Sequence, residues 1–338
     1  MGKNYKFDVR ETPVKIVTMA RDIDYLEFIF DVGACDTSIL HEYFNPTKTK
    51  QITTKRLDTL ASRPYTYIFK PEAQEYRKNK NYKGTIYDIT EDGISLLIAY
   101  GRITPWHAML RKKLGHSGPH AFWHNYVGSQ SLGSIRLGLK QAGITYVSKY
   151  ELFERMDFDS KRSPLRVDLG TDSYIPDDLF GAIYPDHREM FLCEWDMRSE
   201  PTERISSAGT SFMDKPRKIE TGLAQIKKHF GIKESPFKVL TVTTSEGHMH
   251  DIISKMRKMP EPIRELMAFQ SEETFSPLSR GESIECPRCK GGKCYQCKYT
   301  GSAIRPPDAR IFQRDWLRAG LDPFNIGGEH GKEAATAT

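Results

Sequence analysis

Apolar positions in the first hundred residues recur at helical spacing, then at strand spacing. "RDIDYLEFIFDVG" puts Ile23, Leu26, Ile29 and Phe30 on one helical face and stops at Gly33. Asp36 then caps a second helix, "TSILHEYF", with Ile39, Leu40, Tyr43 and Phe44 inward. A third, "ITTKRLDTLASRP", turns Leu57, Leu60 and Ala61 inward and ends at Pro64. "YTYIFK" and "GTIYDITEDG" follow as alternating strands, joined by the basic turn "EYRKNKNYK". The stretch 103–118 is basic and reads as irregular. "HNYVGSQSLGSIRLGLKQAG" then repeats Leu132, Ile135 and Leu139 on a helical face, with Gly143 as its stop. "ITYVSKYELFERM", residues 175–184 and 190–195, and "FKVLTVTT" read as strands. "KPRKIETGLAQIKKHFG" reads as an amphipathic helix with Ile219, Leu223, Ile226 and Phe230 inward, and a last helix runs from about His250 to Lys258. The order α, β, β, β, α, β, α predicts an α/β core around a mixed sheet.

Three helices followed by a hairpin is the order of a winged helix-turn-helix, whose third helix enters the DNA major groove while the wing follows the backbone. The spacing predicts Thr53, Lys55, Arg56 and Thr59 on the outward face of that third helix. The wing tip carries Arg77, Lys78, Lys80 and Lys83, with Tyr76 and Tyr82 interleaved. Cations at a hairpin tip suit phosphate contact. The net charge of +6 over 338 residues favours a polyanionic partner without requiring one.

Two acidic knots stand at strand ends, Asp177-Asp178 and Glu194-x-Asp196. Residues two apart on a strand share a face, so Glu194 and Asp196 converge, and a hairpin would bring Asp177 opposite them. Three clustered carboxylates resist ionising together, and Mg²⁺ or Mn²⁺ relieves that repulsion. Such an ion can activate water against a phosphodiester. A structural alternative leaves Asp177 and Asp178 in a turn and pairs Glu194 with an arginine.

The spacing resembles the PD-(D/E)xK nuclease core: Pro176-Asp177 fits its first element, and Glu194 follows Asp177 by seventeen positions. Asp196 stands where that pattern expects lysine. Some members of that superfamily move the lysine to the following helix, where Lys218 is the candidate and Gln225 lies on roughly the same face. The wider arrangement resembles the replication-relaxation family of mobile-element proteins. It rests on "HNYVGSQSLGSIRLGL" from His124, "IPDDLF" from Ile175, "EWDMRSEP" from Glu194 and "KPRKIETGLAQIKKHF" from Lys215, and covers roughly residues 21–260. Ile175 replaces an arginine often found before "PD", and "MRSEP" follows the family's "RGTE" only loosely. A more distant similarity runs to mobilisation relaxases with a restriction-endonuclease-like fold. These resemblances imply action on double-stranded DNA, with single-stranded origin DNA and a homodimer also allowed, at a plasmid, phage or transposon origin. They leave two alternatives: a metal-dependent endonuclease or nickase using Asp177, Glu194, Asp196 and Lys218, or a non-catalytic initiator on an inactive core.

Of six cysteines, Cys35 and Cys193 lie alone in apolar segments and read as buried, reduced thiols. Cys286, Cys289, Cys294 and Cys297 form two CxxC knuckles that suit a structural Zn²⁺, with an iron–sulfur cluster as the alternative. His107, His116, His120 and His124 read as surface or capping residues, and His248 and His250 as alternates lining the core from a strand. No Walker loop, G-x-S-x-G elbow or membrane-length apolar run is present. The expected organisation is a winged helix-turn-helix (15–103), a linker (104–122), a restriction-endonuclease-like core (123–280), a Cys₄ zinc module (281–305) and a tail (306–338), in a cytoplasmic protein.

Overall fold

A computed structural model describes residues 17–62, 66–76, 84–114, 119–156, 163–170, 172–196, 211–232, 236–271, 283–285, 290, 302–304 and 310–328. The wing tip with Arg77, Lys78, Lys80 and Lys83, and the four cysteines of the CxxC pairs, lie outside these residues.

Helix α1 (Ala20–Val32) leads through strand β1 (Cys35–Asp36) to α2 (Thr37–Phe44) and α3 (Lys50–Leu60). Strand β2 (Ile68–Phe69), a 3₁₀ turn (Glu72–Tyr76) and β3 (Ile86–Ile89) follow. β3 pairs antiparallel with both β1 and β2 in a three-stranded sheet. Asp36 caps α2 as predicted, its Oδ1 accepting the Ser38 N–H at 2.6 Å. α1 is buried well beyond its predicted stripe, Tyr25 and Phe28 included. It packs against β3 and α4 (Glu91–Ala99) as well as α6 (Pro119–Gln141).

The basic stretch read as irregular is largely helix α5 (Pro105–Leu114). Proline suits its first position, and Thr104 and His107 cap it reciprocally, Thr104 N to His107 Nδ1 at 3.2 Å and His107 N to Thr104 Oγ1 at 3.3 Å. Arg111 points inward, donating to Asp88 Oδ1 at 2.8 Å and to the carbonyls of Ile29 and Phe30. A guanidinium on the last carbonyls of α1 complements that helix's negative end, which is why the basic run folds back instead of bridging. One apolar core runs from α1 through α6 into the strands beyond.

The remaining elements are β4 (Thr145–Val147), α7 (Lys149–Phe153), β5 (Val167–Asp168), β6 (Ser173–Tyr174), β7 (Asp178–Ile183), β8 (Arg188–Asp196), α8 (Asp214–His229), β9 (Phe237–Thr243), α9 (Glu246–Met256), α10 (Glu261–Leu266) and β10 (Met267–Ser271). Then come β11 (Ser283–Glu285), β12 (Ser302–Ile304), α11 (Arg310–Gln313), β13 (Trp316–Arg318) and β14 (Leu321–Phe324). A seven-stranded sheet runs β14-β13-β10-β9-β8-β7-β4, with β8, β9 and β10 parallel and the other pairs antiparallel. The parallel strands are buried along almost their whole length, as strands covered on both faces must be. From α6 to α9 the predicted order of helix and strand holds once "ITYVSKYELFERM" is divided into β4 and α7 at Ser148, whose hydroxyl caps the helix. Helix α4, at the end of the stretch read as the second wing strand, and strands β10, β13 and β14, which extend the main sheet, were not expected. The fold is therefore mixed α/β, with helices leading and a mixed sheet behind them. Among the described residues no helix is long and apolar enough to cross a membrane.

Candidate functional site

The two acidic strand ends do meet. β7 and β8 pair as a hairpin with Asp178 opposite Cys193, and Asp177 N donates to Cys193 O at 2.9 Å. Asp177 Oδ2 accepts the Trp195 N–H at 2.7 Å, which fixes the carboxylate between the two strands.

Glu194 faces α8. Its Oε1 accepts from the Tyr174 hydroxyl at 2.8 Å and its Oε2 from Lys215 Nζ at 2.5 Å. The same Nζ lies 3.8 Å from Asp177 Oδ2, so one ammonium stands between two carboxylates. From α6, His124 Nε2 approaches Asp177 Oδ1 to 3.6 Å.

Electrostatics separate the two acids. Burial pushes the Glu194 carboxyl up to about 7, opposed by Lys215 and assisted by Asp177. Burial would raise Asp177 too, but His124, Lys215 and the Trp195 N–H together hold it below the usual carboxylate range. Burial works to lower His124, and the neighbouring Asp177 carboxylate lifts it above its ordinary value.

Several site expectations change. Lys218 turns away from the pair, donating to Ser173 O at 3.2 Å and meeting Asp172 Oδ2 at 3.1 Å. Lys215 takes its place because it sits four residues before buried Ile219 and so shares the inward face of α8. Gln225 is exposed. Asp196 is held by His248, Oδ2 to Nε2 at 2.6 Å, with both side chains buried. His248 and His250 lie on α9 rather than on a strand, and His250 is exposed. Asp178 pairs with Lys149 Nζ at 2.7 Å. Tyr174 and Lys215 were missed by sequence reasoning, and His124 was set down as a surface or capping residue. "SYIPD" and the first lysine of "KPRK" were the available signals.

The third-helix expectations change for the same geometric reason. Thr53 is fully buried, its Oγ1 3.1 Å from His41 Nδ1 and 3.2 Å from Asn45 Nδ2. It stands four residues before inward Leu57. Arg56 is tied to Asp22, with Nε to Oδ1 at 2.7 Å, and Thr59 donates to Lys55 O at 2.9 Å. The exposed face of α3 carries Lys50, Gln51, Ile52 and Lys55.

Asp177 and Glu194 supply the hard oxygen donors Mg²⁺ or Mn²⁺ takes, and such ions are often held by only one or two protein carboxylates plus a substrate phosphate. The donors are of the right chemical kind, and the Lys215 ammonium now stands between them. Among the described residues no group of three or more His, Cys, Asp or Glu side chains is arranged to hold a metal. Cys35 and Cys193 are buried free thiols, as expected, and burial pushes both well above the ordinary range. No family model, curated protein or solved structure matches the chain.

Proposed function

We propose that this chain is a DNA-binding protein of a mobile element that acts at an origin as a metal-dependent endonuclease or nickase. The observation that carries the reading is the meeting of Asp177, Glu194 and Lys215 at the ends of two adjacent strands. The element order also agrees with the replication-relaxation resemblance and with a restriction-endonuclease-like core. The order helix, strand, helix, helix, strand, strand, with its three-stranded sheet, agrees with a winged helix-turn-helix. In that fold α3 would face the major groove, with Lys50, Gln51, Ile52 and Lys55 outward. A structural Zn²⁺ on Cys286, Cys289, Cys294 and Cys297 completes the reading.

Asp177 and Glu194 would hold Mg²⁺ or Mn²⁺, which supplies charge neutralisation and water activation at a phosphodiester when bound. Lys215 brings its ammonium to the same point, where it would offset charge building on the phosphate oxygens. His124, 3.6 Å from Asp177 Oδ1, helps to keep that carboxylate ionised and would be the proton donor to a leaving oxygen.

A second reading is a non-catalytic initiator or regulator on an inactive nuclease-like core. One observation favours it: Glu194 is fully buried, with one oxygen taken by the Tyr174 hydroxyl and the other by the Lys215 ammonium that offsets its charge. The two are separated by nicking assays on supercoiled plasmid carrying the element's origin, with Mg²⁺ or Mn²⁺. Nicking by the wild type that disappears in Asp177→Ala and Glu194→Ala supports the nuclease. Origin binding without nicking leaves the initiator.

A further inference from the structure

Asp177 has a second side. Behind it, between the end of α1, α5, α6 and α7, lies a cavity of about 250 Å³ whose lining includes Phe122, Asn125, Ser129, Tyr150 and Trp195. Trp195 belongs to the opposite sheet face from Glu194, because successive strand residues alternate. The cavity and the Glu194–Lys215 pair thus lie on two sides of one carboxylate.

Its charges cancel. Arg111 meets Asp88 at 2.8 Å, Lys149 meets Asp178 at 2.7 Å, and His124 approaches Asp177 at 3.6 Å. These are the lining's charged or histidine side chains, and each cationic group faces a carboxylate. An anionic ligand would have to break one of those pairs and leave a carboxylate uncompensated in a partly buried site. A neutral, flat molecule meets no such cost. It finds the half-buried Phe122 ring to lie against, with buried Tyr150 and Trp195, an amide and a hydroxyl in the same wall.

Two close approaches shape this wall. Gly33, at φ +98°, brings the end of α1 against Ser129, where a Cβ would collide with the hydroxyl. Gly128 lets α6 settle on the Trp195 indole, which a Cβ would strike. The volume is below the usual range for drug-sized ligands and suits a single small ring system.

We infer that this cavity takes one neutral nucleobase, unstacked from the strand whose phosphate lies at Asp177 and Lys215. The inference rests on the nucleic-acid reading of that site and names the part of the substrate it would hold. Extruding a base beside the reacting bond would fix the strand's register by contact with a face every base possesses.

The test uses the full chain and saturation-transfer NMR with the four free deoxynucleosides, alongside deoxyribose 5-phosphate, which has no base. We expect transfer to base protons of at least one nucleoside and none to deoxyribose 5-phosphate. Phe122→Ala, which removes a wall, and Ser129→Leu, which fills the space, should each weaken the signal about fivefold or more, the low end for loss of one base–aromatic stack. Circular dichroism checks that both variants fold. Absence of transfer to any nucleoside, or transfer that survives in both folded variants, overturns the inference. Stronger binding of deoxyribose 5-phosphate than of the nucleosides also overturns it, in favour of a phosphate site. Nucleoside binding without plasmid nicking would keep the pocket and remove the nuclease. Nicking without nucleoside binding would do the reverse.

Discussion

Glu194 and Asp196 lie two residues apart on β8 and share one face of the sheet, yet they end in different chemistry. Glu194 lies against α8 and meets an ammonium and a phenol, with Asp177 close by. Asp196 lies against α9 and meets one buried imidazole. Strand alternation sets the face of each carboxylate, while the crossover helix above decides its partner. The first carboxylate joins a site shared by two strands and two helices. The second ties α9 to the end of β8.

Lysine replacements should break this comparison most sharply. Under the nuclease reading, Lys215→Ala should slow plasmid nicking by about 10²–10³-fold, the scale of losing one pre-aimed group that stabilises transition-state charge. Lys218→Ala should leave nicking near wild type, because that side chain serves Ser173 and Asp172.

Titration in metal-free buffer gives the next largest effect. The folded Glu194 carboxyl titrates at about 7, above its ordinary 4.5, so the folded chain holds the extra proton between those values. This stabilisation is complete below the unfolded value and is lost as pH rises through about 7. Glu194→Gln removes the titration. Between pH 4.5 and 8 the wild type should therefore lose roughly 3 kcal/mol more stability than the variant, read from urea midpoints. Asp177 is shifted the other way, so its contribution falls away only at more acidic pH, outside this window.

The Asp196 side is expected to respond in stability alone. His248→Ala leaves a buried carboxylate short of its partner and should cost about 1–3 kcal/mol in urea unfolding. Asp196→Asn keeps a hydrogen-bonding group there, should cost less, and should leave the metal dependence of nicking unchanged. The smallest effect falls on α3, where exposed Lys55→Ala should reduce the salt dependence of DNA binding by about one unit of slope. Arg56→Ala should instead destabilise the fold by releasing buried Asp22.

The elements themselves were largely legible. Gly33 and Gly143, both at positive φ, follow helices where a stop was expected, and Asp36 caps α2. The meeting of Asp177 with the end of β8 followed from hairpin pairing and strand alternation. What failed was helix phase. Thr53 and Lys215 each stand four residues before an inward apolar residue, Leu57 and Ile219, and so turn inward. Reading them by polarity alone placed Thr53 outside and passed over Lys215 for its neighbour one turn later. His124 was hidden for a different reason. Its partner lies 53 positions away, and only the packing of α6 against the sheet brings them together. The inward turn of Arg111 was equally invisible, since a basic run carries no sign that it will cap another helix's carbonyls.

The most direct test of the central claim is a side-by-side nicking rate for Lys215→Ala and Lys218→Ala on supercoiled origin plasmid with Mg²⁺. The account predicts that the first variant is crippled while binding the plasmid normally, and that the second cuts like wild type. Loss of nicking in Lys218→Ala with full activity in Lys215→Ala would contradict it.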